Sequence, residues 1–257
     1  GSGKTFLGSH VIGRLVAAGW RIGVVAQSHA VVENLLTGVL EKGGVAPERV
    51  GKKPPSGRPA DRATPWRDVP GKDFAAFLAD GGAVVGGTAW DFSNAKHLED
   101  EALDLLVVDE AGQYSLANTL AVSRAARRLL LLGDPQQLPQ VSQGTHPLPV
   151  DESALGWLSH GSPTLPAEHG YFLDRTWRMH PALCEPVSEL SYAGRLGSAP
   201  AAGAGPTIRA CRPASRPRRT SVRDRHGRRC GRTAGTARAP GGRARTSRRC
   251  GCAPGCR

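Results

Sequence analysis

The sequence predicts a doubly wound α/β fold, in which a mainly parallel sheet is covered by helices on both faces. Short apolar runs alternate along the chain with segments of helical spacing, an order typical of such sheets. Two of the runs, Leu105–Val108 and Leu129–Leu132, are apolar on both faces, as expected for strands between two helical layers. Ligands of these folds bind at the carboxyl ends of strands, so functional residues are expected directly after the apolar runs.

The remaining elements follow from periodicity and from helix-stop signals. Thr5–Ala18 has apolar residues at helical spacing and is followed by Gly19, a residue type that often ends helices. Residues 41–80 are rich in Gly, Pro and charge, which predicts a surface insertion with one short helix near Phe74–Leu78. The other predicted elements are, in chain order, a strand at Arg21–Ala26, a helix at Ala30–Leu40, a strand at Ala83–Gly86, a helix at Tyr114–Ala126 and a helix at Pro181–Tyr192 that we expect Pro186 to interrupt.

Charge divides the chain into a body and a tail. Residues 198–257 contain sixteen arginines and one acid, giving +15, whereas the rest of the chain carries −3. The tail has no Leu, Phe, Tyr, Trp or Met, and a segment of this composition cannot bury enough apolar surface to offset its ordering entropy. We therefore expect a disordered basic tail.

Two origins of the tail remain open. A GC-rich gene read out of frame yields this restricted residue alphabet, and we favour that origin over an arginine-rich arm that binds nucleic acid. Cys250, Cys252 and Cys256 suggest zinc, but they lack the paired CxxC units of a zinc site, so zinc is disfavoured.

Other features concern the cell compartment and the extent of the chain. No apolar run approaches the ~18 residues of a membrane span and no signal peptide is visible, which predicts a soluble, cytoplasmic protein. The chain begins inside a motif and its only methionine is Met179, so we expect it to be a piece of a longer protein.

The first motif is GSGKT, Gly1–Thr5, which matches the second half of the phosphate-binding loop G-x-x-x-x-G-K-[ST]. Backbone N–H groups of Gly1, Ser2 and Gly3 would face phosphate oxygens, Lys4 would add a positive charge, and the Thr5 hydroxyl would bind Mg²⁺. By itself the pentapeptide is equally consistent with a chance glycine turn.

The second and third motifs each follow an apolar strand. LLVVDE ends in Asp109, which would bind Mg²⁺, and Glu110, which would orient and deprotonate the attacking water. GDPQQLP contains Gln137, an amide that can hydrogen-bond the terminal phosphate or its water. The alternatives are a strand that merely ends in a charged turn and, for GDPQQLP, a polar turn.

These motifs, in their order, resemble those of superfamily 1 helicases, with a fourth, RTWRMHP, at Arg175–Pro181. The resemblance is to the branch of the nonsense-decay and DNA-replication-maturation helicases. Within it, the segments AQSHAVVENLL, GGTAWDFS, QVSQGTHP and FLDRTWRMHP resemble the helicase half of bacterial RecB-like nuclease–helicase fusion proteins. The resemblance covers about residues 1–196.

The resemblance implies a RecA-like P-loop NTPase lobe that uses ATP and Mg²⁺, followed by a second RecA-like lobe. It implies the roles given above for Lys4, Thr5, Asp109, Glu110 and Gln137. It also implies that Arg178 reaches the γ-phosphate as an arginine finger, worth ~10³-fold or more in hydrolysis. Without the motif, Arg178 would be interpreted as a surface arginine paired with an acid.

The resemblance further implies a single-stranded nucleic-acid partner, with DNA favoured over RNA. Ser28 and His29 match a motif that contacts the strand backbone, and Thr88 and Trp90 lie in the next such motif. Trp90 could stack on a base, although a single Trp beside a strand is more often a core residue. His29 has no second ligand at helical spacing and is disfavoured as a metal ligand.

The predicted domains are a first lobe at 1–170, the start of a second lobe at 171–197 and the tail at 198–257. The motifs expected later in the second lobe are absent from the sequence. We therefore expect a fragment of an ATP-dependent helicase or translocase, with little activity alone and with a nuclease domain upstream in the parent protein. The alternatives are a P-loop ATPase switch without translocation and a non-enzymatic, basic nucleic-acid-binding module.

Overall fold

The computed structural model describes residues 1–55, 57, 63–138, 149–200 and 202. In these residues the main sheet has six strands, all parallel, in the spatial order β3-β2-β4-β1-β5-β6. Because every strand runs the same way, their carboxyl ends share one edge of the sheet. The strands are β1 Arg21–Val25, β2 Val50–Lys52, β3 Arg67–Asp68, β4 Ala83–Gly87, β5 Leu105–Asp109 and β6 Leu129–Leu132.

Helices cover both faces of the sheet, as predicted. Strand side chains alternate between two buried clusters: Val107 belongs to the cluster that includes Ile12 and Leu35, and Val108 to the one that includes Phe74. Burying a large aliphatic or aromatic side chain contributes about 1.5–3 kcal/mol, so these two layers stabilise the fold from both sides. The helices are α1 Lys4–Ala17, α2 His29–Glu41, α3 Phe74–Leu78, α4 Ala89–Ser93, α5 Leu116–Ser123, α6 Ala154–Ser159 and α7 Pro181–Tyr192.

The interpretation of residues 41–80 as a surface insertion is wrong for their central part. β2 lies inside the sheet, where Val50 pairs with Val84 and Lys52 pairs with Gly86 of β4, and all three β2 residues are buried. A strand of three residues is too short to display an alternating pattern, and its pairing depends on backbone groups that every residue has. The short helix expected at Phe74–Leu78 is confirmed as α3.

Two smaller expectations are also corrected. β6 is the last strand in the sheet order, and Leu129 is 39% exposed, so β6 is not covered on both faces as its all-leucine sequence predicts. Helix α7 continues through Pro186. A proline removes one backbone donor, and here the buried Cys184 and Ser188 anchor the helix on either side of that gap.

Beyond the main sheet, β7 Arg175–Thr176 and β8 Gly197–Ser198 form a separate parallel pair joined by α7. The order β7-α7-β8 is that of a strand–helix–strand unit. Ser198 and Ala199, which the sequence assigns to the tail, take part in this structure: the Ser198 hydroxyl donates to the Met179 carbonyl and Ala199 is buried.

The chain divides into one unit at Gly1–Thr207 and a second at residues 208–257. The predictions of a disordered tail and of a disfavoured zinc cluster fall almost wholly on residues that lie outside those described. Among the described residues, no helix has both the length and the apolar character needed to cross a bilayer.

Candidate functional site

The segment Gly1–Thr5 lies at the amino end of α1. Gly3 precedes the helix with φ of 88°, a left-handed conformation that favours glycine, and Lys4 and Thr5 are the first two helical residues. The first N–H groups of a helix have no partner within it, and the helix dipole favours an anion at this end. The local geometry is therefore suited to phosphate, as the motif predicts.

Asp109 and Glu110 lie at the carboxyl end of β5. Asp109 is 3% exposed and accepts a 2.9 Å hydrogen bond from the backbone N–H of Glu110. Burial, opposed by that hydrogen bond, raises the pKa of Asp109 to about 6; the charge of Glu110 also raises it, and the charge of Lys4 lowers it. Lys4 is thus within electrostatic range of the carboxylate, and the loop and the strand end face one site.

A buried oxygen in this site lacks a protein partner. Oε2 of Glu110 is buried and accepts no hydrogen bond from the described residues, and Glu110 itself has a left-handed φ of 54°. An unsatisfied buried carboxylate oxygen is costly and indicates a missing cation or water. The carboxylate of Asp109 and the hydroxyl of Thr5 are oxygen donors of the kind that Mg²⁺ prefers, so they fit the predicted metal, and the open oxygen of Glu110 suits its predicted contact with the attacking water.

Gln137 follows β6, the neighbour of β5 in the sheet. Asp109 is in register with Leu132, so the turn after β6 lies beside the end of β5. The side-chain oxygen of Gln137 accepts a 3.3 Å hydrogen bond from Gln113 Nε2, and its backbone N–H donates to the carbonyl of Asp134. Gln137 therefore belongs to the same edge as the two acids.

Arg178 contacts the phosphate loop. A Cβ added to Gly1 would lie 2.5 Å from Cβ and 3.2 Å from Nε of Arg178, and the N–H of Trp177 donates to the Gly1 carbonyl at 2.9 Å. The RTWRMHP segment thus brings its arginine to the loop.

Ser28 and His29 lie just beyond the carboxyl end of β1. Ser28 is exposed and caps α2, its hydroxyl accepting a 3.4 Å hydrogen bond from the N–H of Val31. His29 is half-buried, and its Nδ1 lies 3.2 Å from Nζ of Lys52. The described residues contain no group of three or more His, Cys, Asp or Glu side chains that could hold a metal ion.

Thr88 and Trp90 follow β4, the strand next to β1. Thr88 caps α4 through a capping box: Asp91 Oδ2 accepts from the N–H of Thr88 at 2.8 Å and from its hydroxyl at 2.7 Å. Trp90 is 83% exposed, so the interpretation of this side chain as a core residue is wrong. An exposed indole at a strand end is available for stacking.

The sequence analysis missed two lysines that lie close to His29 and to Asp91 of α4. Lys52 and Lys53 come from the segment interpreted as an insertion: Lys52 forms a 3.1 Å salt bridge with Glu33, and Lys53 forms a 2.6 Å salt bridge with the buried Asp91. The sequence offered a weak signal here: Lys52 and Lys53 follow Val50 and Gly51, two residues that a buried strand can accommodate. Many exposed turns have the same pattern.

The chain is similar to a known protein family and to solved structures. The family model described as an AAA domain matches residues 1–148. A solved structure, described as a complex of Arterivirus nonstructural protein 10 (helicase) with DNA, is similar at 20% identity and a TM-score of 0.49. That match covers 78% of this chain and 40% of the viral protein, so the chain spans less than half of its length. No curated protein sequence matches. The phosphate loop, the acids after β5 and the covered parallel sheet all lie within the matched residues or at their edge, and the chain belongs to the AAA domain family.

Proposed function

We propose that this chain is part of an ATP-dependent helicase or translocase, which couples ATP hydrolysis to movement along single-stranded nucleic acid. One observation carries the proposal: the nucleotide residues and the nucleic-acid residues lie at the carboxyl ends of neighbouring parallel strands. Of the nucleotide residues, Asp109, Glu110 and Gln137 lie at or after the ends of β5 and β6, and the nucleic-acid residues follow β1 and β4. Because β1 is paired with β5, the two groups of residues lie at the ends of adjacent strands.

The proposed roles follow from the chemistry of each side chain. Lys4 binds the terminal phosphates, and Glu110 orients the attacking water and accepts its proton. Gln137 hydrogen-bonds the same water or the γ-phosphate, and Arg178 stabilises charge on the transferred group. Thr5 and Asp109 would hold Mg²⁺, which supplies charge neutralisation on the phosphate oxygens when bound.

The proposed nucleic-acid surface is formed by Ser28, His29, Thr88 and Trp90. The polar residues would contact the sugar–phosphate backbone, and Trp90 would stack on a base. The Thr88 hydroxyl donates a hydrogen bond to Asp91, which leaves its oxygen to accept a hydrogen bond from a ligand. Thr88 also caps α4.

We further propose that the parent protein belongs to the RecB-like nuclease–helicase branch of superfamily 1, acts on DNA in the cytoplasm and carries a nuclease domain. The motifs AQSHAVVENLL and GGTAWDFS support this assignment, since the first provides most of α2 and the second provides the end of β4 and all of α4 at the proposed surface. The 257-residue chain itself is proposed to unwind little or no duplex.

The test measures ATP hydrolysis by the parent protein, extended by its flanking gene sequence, with and without a single-stranded oligonucleotide. We expect stimulation by the oligonucleotide, loss of hydrolysis in Glu110→Gln, and duplex unwinding that needs ATP. Stimulation only by a protein partner would instead identify a nucleotide switch. Unwinding by the 257-residue chain alone would contradict the proposed lack of activity.

The third possibility, a basic module without enzymatic function, is tested by removing residues 208–257, the second unit of the chain. We expect the shortened chain to retain Mg²⁺-dependent binding of ATP and a salt-resistant part of its nucleic-acid affinity, while losing the phosphate-dependent part that low salt favours. A shortened chain that binds no nucleotide and has lost all nucleic-acid affinity would favour the basic module.

A further inference from the structure

A buried lysine lies directly behind the proposed nucleic-acid surface. The side chain of Lys52, the last residue of β2, is 1% exposed. Its ammonium lies 3.1 Å from Glu33 Oε1, 3.2 Å from His29 Nδ1 and 3.1 Å from the carbonyl oxygen of Lys53. A lysine ammonium has three N–H donors, and three acceptors surround this one.

This arrangement ties the first turn of α2 to the sheet. His29 and Glu33 are four residues apart, one helical turn, so both side chains lie on the same face of α2 and meet the same ammonium. A buried ammonium is strongly destabilising unless it is paired and hydrogen-bonded, so the positions of its partners are constrained. The ring of His29 is therefore held from its Nδ1 side.

The donor chemistry of lysine determines the protonation of the ring. An ammonium donates hydrogen bonds and accepts none, so Nδ1 of His29 must be the acceptor. A neutral imidazole that accepts at Nδ1 carries its proton on Nε2, and within the described part of the chain Nε2 has no hydrogen-bond partner. The free N–H of the ring is then available to a ligand.

We propose that Lys52 is a positioning residue for nucleic-acid binding: it holds His29 as the neutral tautomer protonated on Nε2, so that His29 contacts a phosphate as a hydrogen-bond donor and not as a cation. The inference rests on the proposed function, because it assigns the mode of contact at the same surface. It adds β2, a strand outside the resembling motifs, to the residues that determine nucleic-acid binding.

The charges around His29 agree with a neutral ring. Burial lowers the pKa of His29, and the charge of Lys52 lowers it further. The other charged groups facing the ring are Glu33 on α2 and Asp91 on α4, which raise the pKa, and Lys53 after β2, which lowers it. Because the pKa of His29 lies below its ordinary value, the neutral ring is favoured at neutral pH.

The test is NMR of the full ¹⁵N-labelled chain, in which long-range ¹H–¹⁵N correlations distinguish the two neutral tautomers and the imidazolium. The signals of His29 are identified by their loss in His29→Gln. We expect the Nε2–H tautomer, with a midpoint of titration below that of an ordinary histidine. A ring protonated on Nδ1, or one that titrates at an ordinary histidine pKa, would overturn the proposal.

Three variants separate positioning from general support of the fold. Lys52→Met removes the donor and leaves Glu33 beside the ring, so the pKa of His29 should rise and the tautomer preference should be lost. Lys52→Arg, also a donor without an acceptor, should restore the Nε2–H tautomer. Glu33→Gln keeps the ammonium beside Nδ1 and should keep the tautomer while lowering the pKa of His29, which provides a test even if Lys52→Met does not fold.

A titration with a single-stranded oligothymidylate distinguishes failure of this inference from failure of the proposed function. We expect the Nε2 signal of His29 to shift on addition of the oligonucleotide. If the tautomer is correct and the signal does not move, His29 is not a phosphate contact and the proposed surface is wrong. If the signal moves but the ring is protonated on Nδ1, nucleic-acid binding stands and the role of Lys52 is overturned.

Discussion

The phenolic hydroxyl of Tyr192 donates a 2.6 Å hydrogen bond to Asp134 Oδ2, and this bond joins α7 to the turn that carries Gln137. The other carboxylate oxygen of Asp134 accepts a hydrogen bond from the N–H of Gln136 at 3.0 Å. The backbone carbonyl of Asp134 accepts a hydrogen bond from the N–H of Gln137. One carboxylate therefore shapes the turn after β6 and connects it to the helix that follows Arg178. The turn that carries Gln137 and the segment that carries Arg178, both proposed to contact the γ-phosphate, are thus connected by a hydrogen bond within the protein.

Replacing Tyr192 by Phe tests this link. Burial first, and then the hydrogen bond to Asp134, raise the pKa of Tyr192 above its usual range, so the phenol keeps its proton and continues to donate. We expect Tyr192→Phe to lower the free energy of unfolding by about 1.5–3 kcal/mol, as for a hydrogen bond to a charged group. Urea denaturation measures it, with Tyr171→Phe as the control, since Tyr171 is 98% exposed. Equal stability of the two variants would show that the bond contributes nothing.

Lys4→Ala tests the phosphate loop. Because Lys4 begins α1 and would bind phosphate through its ammonium, its removal should weaken Mg²⁺-dependent ATP binding about tenfold or more. Titration calorimetry gives the affinity, and circular dichroism checks that folding is retained. Lys72→Ala, at an exposed lysine outside the site, is the matched control. Unchanged affinity in Lys4→Ala would contradict the assignment of Gly1–Thr5 as the nucleotide loop.

The pKa of Asp109 predicts a specific dependence of stability on pH. Burial is the main cause of its rise from 3.8 to about 6 in the folded chain. The folded state therefore binds this proton more tightly than the unfolded state. Its contribution to stability is fully present below about pH 3.8 and is lost as the pH rises through 6.

Asp109→Asn lacks this contribution. In EDTA, we expect the free energy of unfolding of the wild-type chain to fall relative to the variant by about 2–3 kcal/mol between pH 4 and pH 7.5. Chemical denaturation at a series of pH values measures the difference, with Asp73→Asn, at an exposed carboxylate, as the control. Parallel pH profiles of wild type and Asp109→Asn would contradict the raised pKa.

Trp90→Ala tests the nucleic-acid surface. A stacked base contributes about 1–3 kcal/mol, so the variant should bind an oligothymidylate roughly five- to a hundredfold more weakly. Because the indole is exposed, the stability of the fold should not change. Binding is measured at increasing salt, which suppresses the phosphate-dependent affinity of the arginine-rich residues more than stacking. Trp157→Ala, at another partly exposed tryptophan, is the control; equal affinities would exclude stacking by Trp90.

Much of the sheet could be predicted from sequence. Strands β1, β4, β5 and β6 were predicted to within one residue at each end, because apolar runs between turn residues carry a strong local signal. The residues proposed to bind nucleotide follow from motif spacing and from the rule that strand ends carry ligands. In the structure the charge of Lys4 lowers the pKa of Asp109, so the start of α1 and the end of β5 lie near each other.

The sequence by itself determined the local chemistry: which segments are strands, which helix begins with Lys-Thr after a glycine, and which acids end an apolar strand. Only the tertiary structure decided that β2 pairs with β4, that Trp90 faces outward and that Lys52 lies behind His29. The physical reason is that periodicity reports burial within one element, whereas strand pairing uses backbone groups common to all residues and unites segments distant in the chain. Lys52 and His29 are 23 residues apart, and the sheet alone makes them neighbours.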